Sequence, residues 1–483
     1  MQTIFDKSIS GRKGVWPDKP KTSVTDHISS TLLRKQKPLL PEVSELDVIR
    51  HYTLLSRKNF GVDSNFYPLG SCTMKYNPKF MEEIANLPGF TDLHPLIPQL
   101  KTAGLYTQGA LEVLYETEQL LCEITGMDAF TLQPLAGAHG ELTGVMLIAA
   151  YHKHKGNKKT KIIVPDSAHG TNPASAAIAG YKVVSIKSKN GIIDPKALKE
   201  VLDEEVAGIM MTCPNTLGLF ETHLAEIVEL IHSVDGLLYY DGANLNAIMG
   251  KMKVGEVGFD VVHLNLHKTF ATPHGGGGPG SGPVGVNKKL EPFLPISRVV
   301  KLEDGQFYLK YDYPLSIGYV APFYGNFGVI LKAYAYILRL GREGLTRVSE
   351  HAVLAANYLR KKLENYLEIP YNRTCMHEFV ASAVKQAKKG VRALDIAKAL
   401  LDKGHHAPTI YFPLIVKECL MIEPTETESK ETLDKFVDDL IEILETADQR
   451  PELLLQAPSY TPVNRLDEVK AARQMELVEP CTM

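Results

Sequence analysis

Between residues 127 and 266 short β-rich runs alternate with helical stretches, and nothing else in the chain restricts its fold as tightly. DAFTL leads into a helix opening at Ala138, KIIVP into the alanine-rich 173–179, YKVVSI into 194–205, and GIMMTC into 221–234, before GLLYYD and VVHLNL. That order predicts a mainly parallel sheet with helices on both faces, the α/β class. Sheets of this kind take their ligands at the carboxyl ends of the strands, so the residues just past each strand are the first place to look for chemistry.

The flanks read differently. Residues 1–90 carry repeated prolines and glycines (Tyr67-Pro68-Leu69-Gly70, Asn77-Pro78, Leu87-Pro88-Gly89) and weak periodicity, which predicts an N-terminal arm with short helices. Within 107–123, Leu111, Leu114, Leu121 and Cys122 recur at helical spacing, and Gly126 is placed to stop that helix. A large domain is therefore expected over 91–328. Beyond it the pattern changes to long helices at 329–340, 346–366, 393–403 and 428–446 around short strands such as EFVASA, a smaller C-terminal α+β domain over 329–450. The tail, 451–483, is rich in proline and apolar residues and is expected to pack against something.

Charge excludes some partners. With 53 Lys and Arg against 56 Asp and Glu, the net charge of -3 gives no single-sign field for nucleic acid or an anionic membrane. Six cysteines lie scattered without a C-x-x-C pair, so no disulfide framework or zinc site is expected, and a reducing compartment fits. The opening MQTIFDKSISGRKGVWPDKP has no apolar core of a secretory signal, and no run approaches the roughly 18 apolar residues of a membrane span. A cytoplasmic location is the expectation.

Four strand ends carry the candidate chemistry. In VVHLNLHKTFATPHGGGG, Lys268 stands just past an apolar strand, and Asp241 closes the preceding strand GLLYYD. Taken alone, a lysine is usually a solvated surface charge, and an Asp before ANLNAI could simply cap a helix. Together they supply what pyridoxal phosphate needs: an amine that can form a Schiff base, and a carboxylate that keeps the ring nitrogen protonated. His169, past KIIVP, could stack on the pyridine ring, with a buried structural histidine as the plain alternative. In QPLAGAHGE the small residues Ala136, Gly137 and Ala138 open a helix, a place where backbone N–H groups and the helix N-terminus can receive a phosphate. Thr269 could add a hydroxyl.

Two tempting motifs are set aside. The loop HGGGGPGSGPVG matches G-x-G-x-x-G twice, but Pro279 and Pro283 interrupt it and a β-like stretch follows, so it reads as an active-site or interface loop and not a dinucleotide fingerprint. His263 and His267 have metal-ligand spacing for a helix, and this run reads as strand and loop, so no metal is expected.

The combination of HLNLHKTFATPHGGGGPGSGP, YYDGANLNA, SAHGTNPASA, QPLAGAHGE and the N-terminal YPLGSCTMKYNP resembles the glycine decarboxylase family, the P-proteins of the glycine cleavage system. The likeness covers essentially the whole chain and is nearest to subunit 2 of the split bacterial form. One departure is Leu135, where the family pattern leads one to expect alanine. The resemblance implies a fold type I (aspartate aminotransferase-like) enzyme that binds pyridoxal 5'-phosphate. Lys268 would hold the cofactor, Asp241 would pair with its ring nitrogen with Ala243 alongside, and His169 would stack on the ring. It further implies decarboxylation of glycine, with the aminomethyl group passed to the lipoyl group of the H-protein and CO2 released. Subunit 1 would be the partner, in an assembly of two copies of each. Ser71, Cys72, Thr73 and Lys75 are candidates for lining the substrate channel; Cys72 could be a redox-sensitive thiol, with a buried bystander as the default reading. The competing readings are another fold type I enzyme acting on a free small molecule, such as an amino-acid decarboxylase or cysteine desulfurase, or a non-catalytic scaffold subunit.

Overall fold

The computed structural model describes residues 2–15, 27–36, 38–100, 104–275 and 280–475. Residues 276–279, the middle of the glycine-rich loop, lie outside the described residues, so the reading of that loop as an active-site or interface element does too. The chain forms two compact units, Val62–Ala457 and a smaller one made of Met1–Gly61 with Pro458–Met483. In the smaller unit the helix Glu45–Ser56 opens on a capping box between Ser44 and Asp47, and Arg12 pairs with Asp47 at 2.9 Å.

The expected arm is shorter than 90 residues. Residues 62–90 belong to the larger unit because their apolar side chains are used there: Phe66 is buried against Phe436, and Leu69 bridges to Ile422 of the C-terminal sheet. At the other end Leu454 and Ala457 are buried in that same core, so the first part of the tail belongs there as well.

The larger unit is built on a seven-stranded sheet: β1 (Ala129–Thr131), β2 (Lys161–Pro165), β3 (Lys182–Ile186), β4 (Val206–Thr212), β5 (Leu237–Gly242), β6 (Val261–Leu264) and β7 (Val284–Val286). Their spatial order is β1-β7-β6-β5-β4-β2-β3. The five strands from β3 to β6 run parallel, and β7 pairs antiparallel with both β6 and β1. Central strands are buried on both faces, which is why GLLYYD and VVHL read as near-continuous apolar runs. Along β5, Leu238 and Tyr240 enter one core and Leu237 and Tyr239 the other, the two-residue alternation of a strand packed on each side.

The longer helices of this unit are α1 (Gln108–Thr125), α2 (Gly137–Lys155), α3 (Thr171–Ile178), α4 (Leu224–Ser233), α5 (Phe327–Leu363), α6 (Ala393–Asp402) and α7 (Lys430–Gln449). The stretch expected as a helix over 194–205 is helical only over Pro195–Val201. Asp203 accepts the N–H of Glu205 at 3.0 Å, a local turn that redirects the chain into β4. The two helices expected at 329–340 and 346–366 form the single run α5, broken at Gly341, whose φ of 61° and ψ of -176° interrupt the helical backbone. α6 and α7 share a core with the antiparallel strands Phe379–Ser382, Thr409–Ile410 and Cys419–Ile422.

Gly126 ends α1 in the left-handed conformation at φ 74°, and a Cβ there would stand 3.0 Å from Cβ of Lys253. Gly126→Ala is therefore expected to cost about 1–2 kcal/mol, read as a lower midpoint in urea unfolding with an unchanged slope.

Candidate active site

Strand register gathers the first three side chains. Thr212 lies opposite Asp241, and Asp241 opposite His263, one row across β4, β5 and β6 near their carboxyl ends. Asp241 is 2% exposed. Its Oδ2 accepts from Asn172 at 3.0 Å and from the Thr212 hydroxyl at 3.3 Å, while Oδ1 accepts the N–H of Ala243 at 3.1 Å. Burial alone would raise this carboxyl, but the His263 ring and the donors from Asn172 and Ala243 outweigh it and hold it below the usual carboxylate range. The result is a buried, ionised carboxylate.

His263 completes the row. Burial pushes the Tyr239 phenol well above its ordinary range, and its hydroxyl lies within hydrogen-bond distance of His263 Nδ1, at 2.6 Å. On the other side of the ring, His263 Nε2 lies 3.5 Å from Asp241 Oδ1.

Lys268 follows β6 on the short turn Leu266–Thr269, and its Nζ donates to the carbonyl of Ser71 at 2.8 Å. It lines a cleft of about 200 Å³ together with Asp241, Ala243, His169, Ser71, Gly137 and Ala138. Seven of the expected site residues thus meet at one place. Two larger cavities, of about 440 and 450 Å³, lie elsewhere, the first bordered by Phe90, Leu111 and Phe327 and the second by Met249, Ile337 and Leu345. Neither brings a lysine and a buried carboxylate together as the smaller cleft does.

The cradle expected at Ala136–Ala138 is the start of α2. Ala136 is its N-cap and no side chain caps its first N–H groups, so these donors face the cleft where Gly137 and Ala138 line it. A Cβ on Gly137 would come within 2.7 Å of Asn265 Oδ1, so a larger residue there would have to displace the Asn265 side chain. Asn265 Oδ1 and the Thr269 hydroxyl are buried without a hydrogen-bond partner. An uncapped helix N-terminus, orphaned polar groups, an ionised Asp and a half-buried Lys are the donor set that the phosphate, ring nitrogen and aldehyde carbon of pyridoxal phosphate call for, and the site fits that cofactor.

His169 is exposed on the cleft wall, its Nδ1 2.7 Å from the Thr171 hydroxyl, which in turn donates to Glu141 at 2.8 Å. Of the segment 71–75, Ser71 lines the cleft. Cys72 is half-buried, its thiol pushed up to about 11 chiefly by burial. Thr73 and Lys75 are buried, the Lys75 ammonium held by Glu426 at 2.6 Å and by the Thr269 carbonyl at 2.7 Å. Ser71 and Thr73 both hold left-handed backbone, at φ 59° and 49°, a cost of about 1–2 kcal/mol each for residues with a Cβ. Burial drives the ring of His267 down to about 3 and that of His274 to about 4, so both are neutral at physiological pH.

The residues that sequence reading missed are the supports. Glu141 was visible in QPLAGAHGE and Asn172 in SAHGTNPASA, but only the fold shows that one amide, Asn172 Nδ2, reaches Glu141 at 2.9 Å and Asp241 at 3.0 Å.

Comparison with known proteins decides the family. Residues 22–306 match the family model for the glycine cleavage system P-protein, and residues 348–455 the C-terminal domain of glycine dehydrogenase. A probable glycine dehydrogenase (decarboxylating) subunit 2 from Caldanaerobacter subterraneus subsp. tengcongensis is 62% identical over 475 residues, 97% of each chain. The chain belongs to the glycine cleavage system P-protein family. Among solved structures, a glycine decarboxylase (P-protein) in inhibitor-bound form superposes on this P-protein family member with a TM-score of 0.71 at 20% identity, covering 86% of this chain and 94% of the other. An aspartate aminotransferase from Thermus thermophilus does so with a TM-score of 0.58 at 15% identity, covering 79% of this chain and 100% of the other. The chain thus has the fold type I architecture expected from its sequence. Among its described residues no helix is long and apolar enough to cross a membrane.

Proposed function

We propose that this protein catalyses the pyridoxal phosphate-dependent decarboxylation of glycine, passing the aminomethyl group to the lipoyl group of the H-protein and releasing CO2. The observation that carries the reading is the convergence of Lys268 and the ionised Asp241 on one cleft, in a chain of the P-protein family. Relatives named subunit 2 support a split enzyme, and subunit 1 completes it here, two copies of each chain working in the cytoplasm.

Bound pyridoxal phosphate supplies the electron sink for the pair left behind as the glycine carboxylate departs. Everything else is the work of this chain. The N–H groups at the start of α2 hold the phosphate, with the Thr269 hydroxyl and Asn265 in reserve as polar partners. Asp241, fixed by Asn172, Thr212 and the Ala243 N–H, keeps a proton on the ring nitrogen. Lys268 would hold the cofactor, and its free amine donates to the Ser71 carbonyl. His169, oriented by Thr171, would stack on the cofactor ring.

The deciding experiment is exchange of labelled bicarbonate into the carboxyl group of glycine, using the purified chain with pyridoxal phosphate, lipoylated H-protein and subunit 1. Exchange that disappears when either protein is omitted is the expected outcome. Full turnover of a free amino acid without a lipoyl protein would replace this reading with a free-substrate decarboxylase or desulfurase.

A further inference from the structure

Asp241 and His169, the two side chains assigned to the cofactor ring, both lead back to one glutamate for which the proposed chemistry has no other use. Glu141 lies on α2, close to the helix start that lines the cleft, and is 5% exposed. Its Oε1 accepts the Thr171 hydroxyl at 2.8 Å, and the oxygen of that hydroxyl lies 2.7 Å from His169 Nδ1. Its Oε2 accepts from Asn172 Nδ2 at 2.9 Å, and the same nitrogen donates to Asp241 Oδ2 at 3.0 Å. Thr171 and Asn172 are neighbours at the start of α3, so one carboxyl group grips two consecutive residues that reach different parts of the site. Two other buried carboxyls are used differently. Glu378 receives the N–H and hydroxyl of Ser71, at 2.6 and 3.1 Å, and Glu423 those of Thr73, at 2.9 and 2.6 Å, so each secures one point of the strap formed by residues 71–73.

The Asn172 amide shows how firmly the arrangement is imposed. Its nitrogen carries two N–H bonds, and both are directed at carboxyl oxygens, one on Glu141 and one on Asp241. Its Oδ1 is buried without a hydrogen-bond partner. Turning the amide over would set that oxygen against two acceptors and strip Asp241 of a donor, so the orientation is dictated by the two carboxyls even though Oδ1 goes unpaired.

We propose that Glu141 is a shared positioning residue for the cofactor ring: through Asn172 it fixes the donor on which Asp241 relies, and through Thr171 it fixes the His169 ring. The inference rests on pyridoxal phosphate occupying this cleft, as the proposed function requires.

The test uses the full chain loaded with pyridoxal phosphate labelled with nitrogen-15 in its ring. The NMR shift of that nitrogen reports whether it carries a proton, and circular dichroism of the visible band reports how the ring is held. Glu141→Leu removes both acceptors at similar size. Asp241 then loses a fixed donor, which raises its carboxyl and draws the proton away from the ring. The nitrogen signal is therefore expected to move toward that of the bare ring, the dichroism to weaken, and the Kd for the cofactor to rise about tenfold. A lower melting temperature with both signals at their wild-type values is what a purely structural role gives, and it overturns the inference. Should Glu141→Leu fail to fold, Thr171→Val and Asn172→Leu cut the two arms singly. The first is expected to change the dichroism alone and the second to shift the nitrogen signal, and either variant that leaves its own signal untouched overturns the inference. Absence of any visible band in the wild-type protein would instead overturn the cofactor reading on which the inference stands.

Discussion

Lys268→Ala is expected to abolish the visible band of the attached cofactor and to lower glycine–bicarbonate exchange by at least about four orders of magnitude, the scale seen when a covalent catalytic group is removed. The fold should barely notice. Lys268 is half-buried and its amine makes one hydrogen bond, to the Ser71 carbonyl, worth about 1 kcal/mol. The informative result is therefore an inactive protein with a near-normal unfolding transition. A variant that still held the cofactor covalently and exchanged bicarbonate would remove Lys268 from the mechanism.

Asp241→Asn has the second largest expected effect. It keeps the size of the side chain and deletes the buried charge opposite the cofactor. Exchange should drop on the order of 10²–10³-fold, comparable to losing one preorganised electrostatic partner of a transition state, and the cofactor should dissociate more readily. The amide also creates a local conflict. Asn172 Nδ2 donates to Asp241 Oδ2, so the new amide must turn its oxygen to that donor and aim its NH2 at the Ala243 N–H, which previously donated to Oδ1. A small loss of stability is thus expected beside the large loss of activity, and calorimetry of the cofactor-free protein separates the two. Unchanged cofactor affinity and exchange in this variant would show that another group protonates the ring.

Much of the sheet was legible because buried parallel strands leave an unmistakable apolar run, and KIIVP occupies in the structure the five positions where it was expected. Lys268, Asp241 and the start of α2 could be located for the same reason: each sits at the end of such a run or within a few residues of it. The supports were not legible. His263 looks like any strand histidine until β5 and β6 are placed in register, and only then does its ring face Asp241. Glu378 and Glu423 carry still less signal, for a glutamate next to a strand usually faces water. What makes these two buried is the strap from residues 71–73, more than 300 positions away, and no local pattern encodes a partner at that distance. The true length of the arm was hidden likewise, since the proline-rich 62–90 gives no sign that Phe66 and Leu69 reach the C-terminal core.

That separation also sets the order in which the site can come into being. Ser71 meets Glu378 across 307 positions and Thr73 meets Glu423 across 350, whereas Asp241 lies on β5 and Lys268 just past the neighbouring, sequential strand β6. During synthesis the chain emerges at about 5–20 residues per second, so the lysine and its aspartate can be folded and exposed for several seconds before the glutamates that fix the strap have left the ribosome. In that interval the left-handed turns at Ser71 and Thr73 have nothing to hold them, and the lysine has no carbonyl to rest against. The cofactor pocket is thus half-made early and closed last, and a nascent chain stopped before residue 378 would offer pyridoxal phosphate an amine without the framework that later disciplines it.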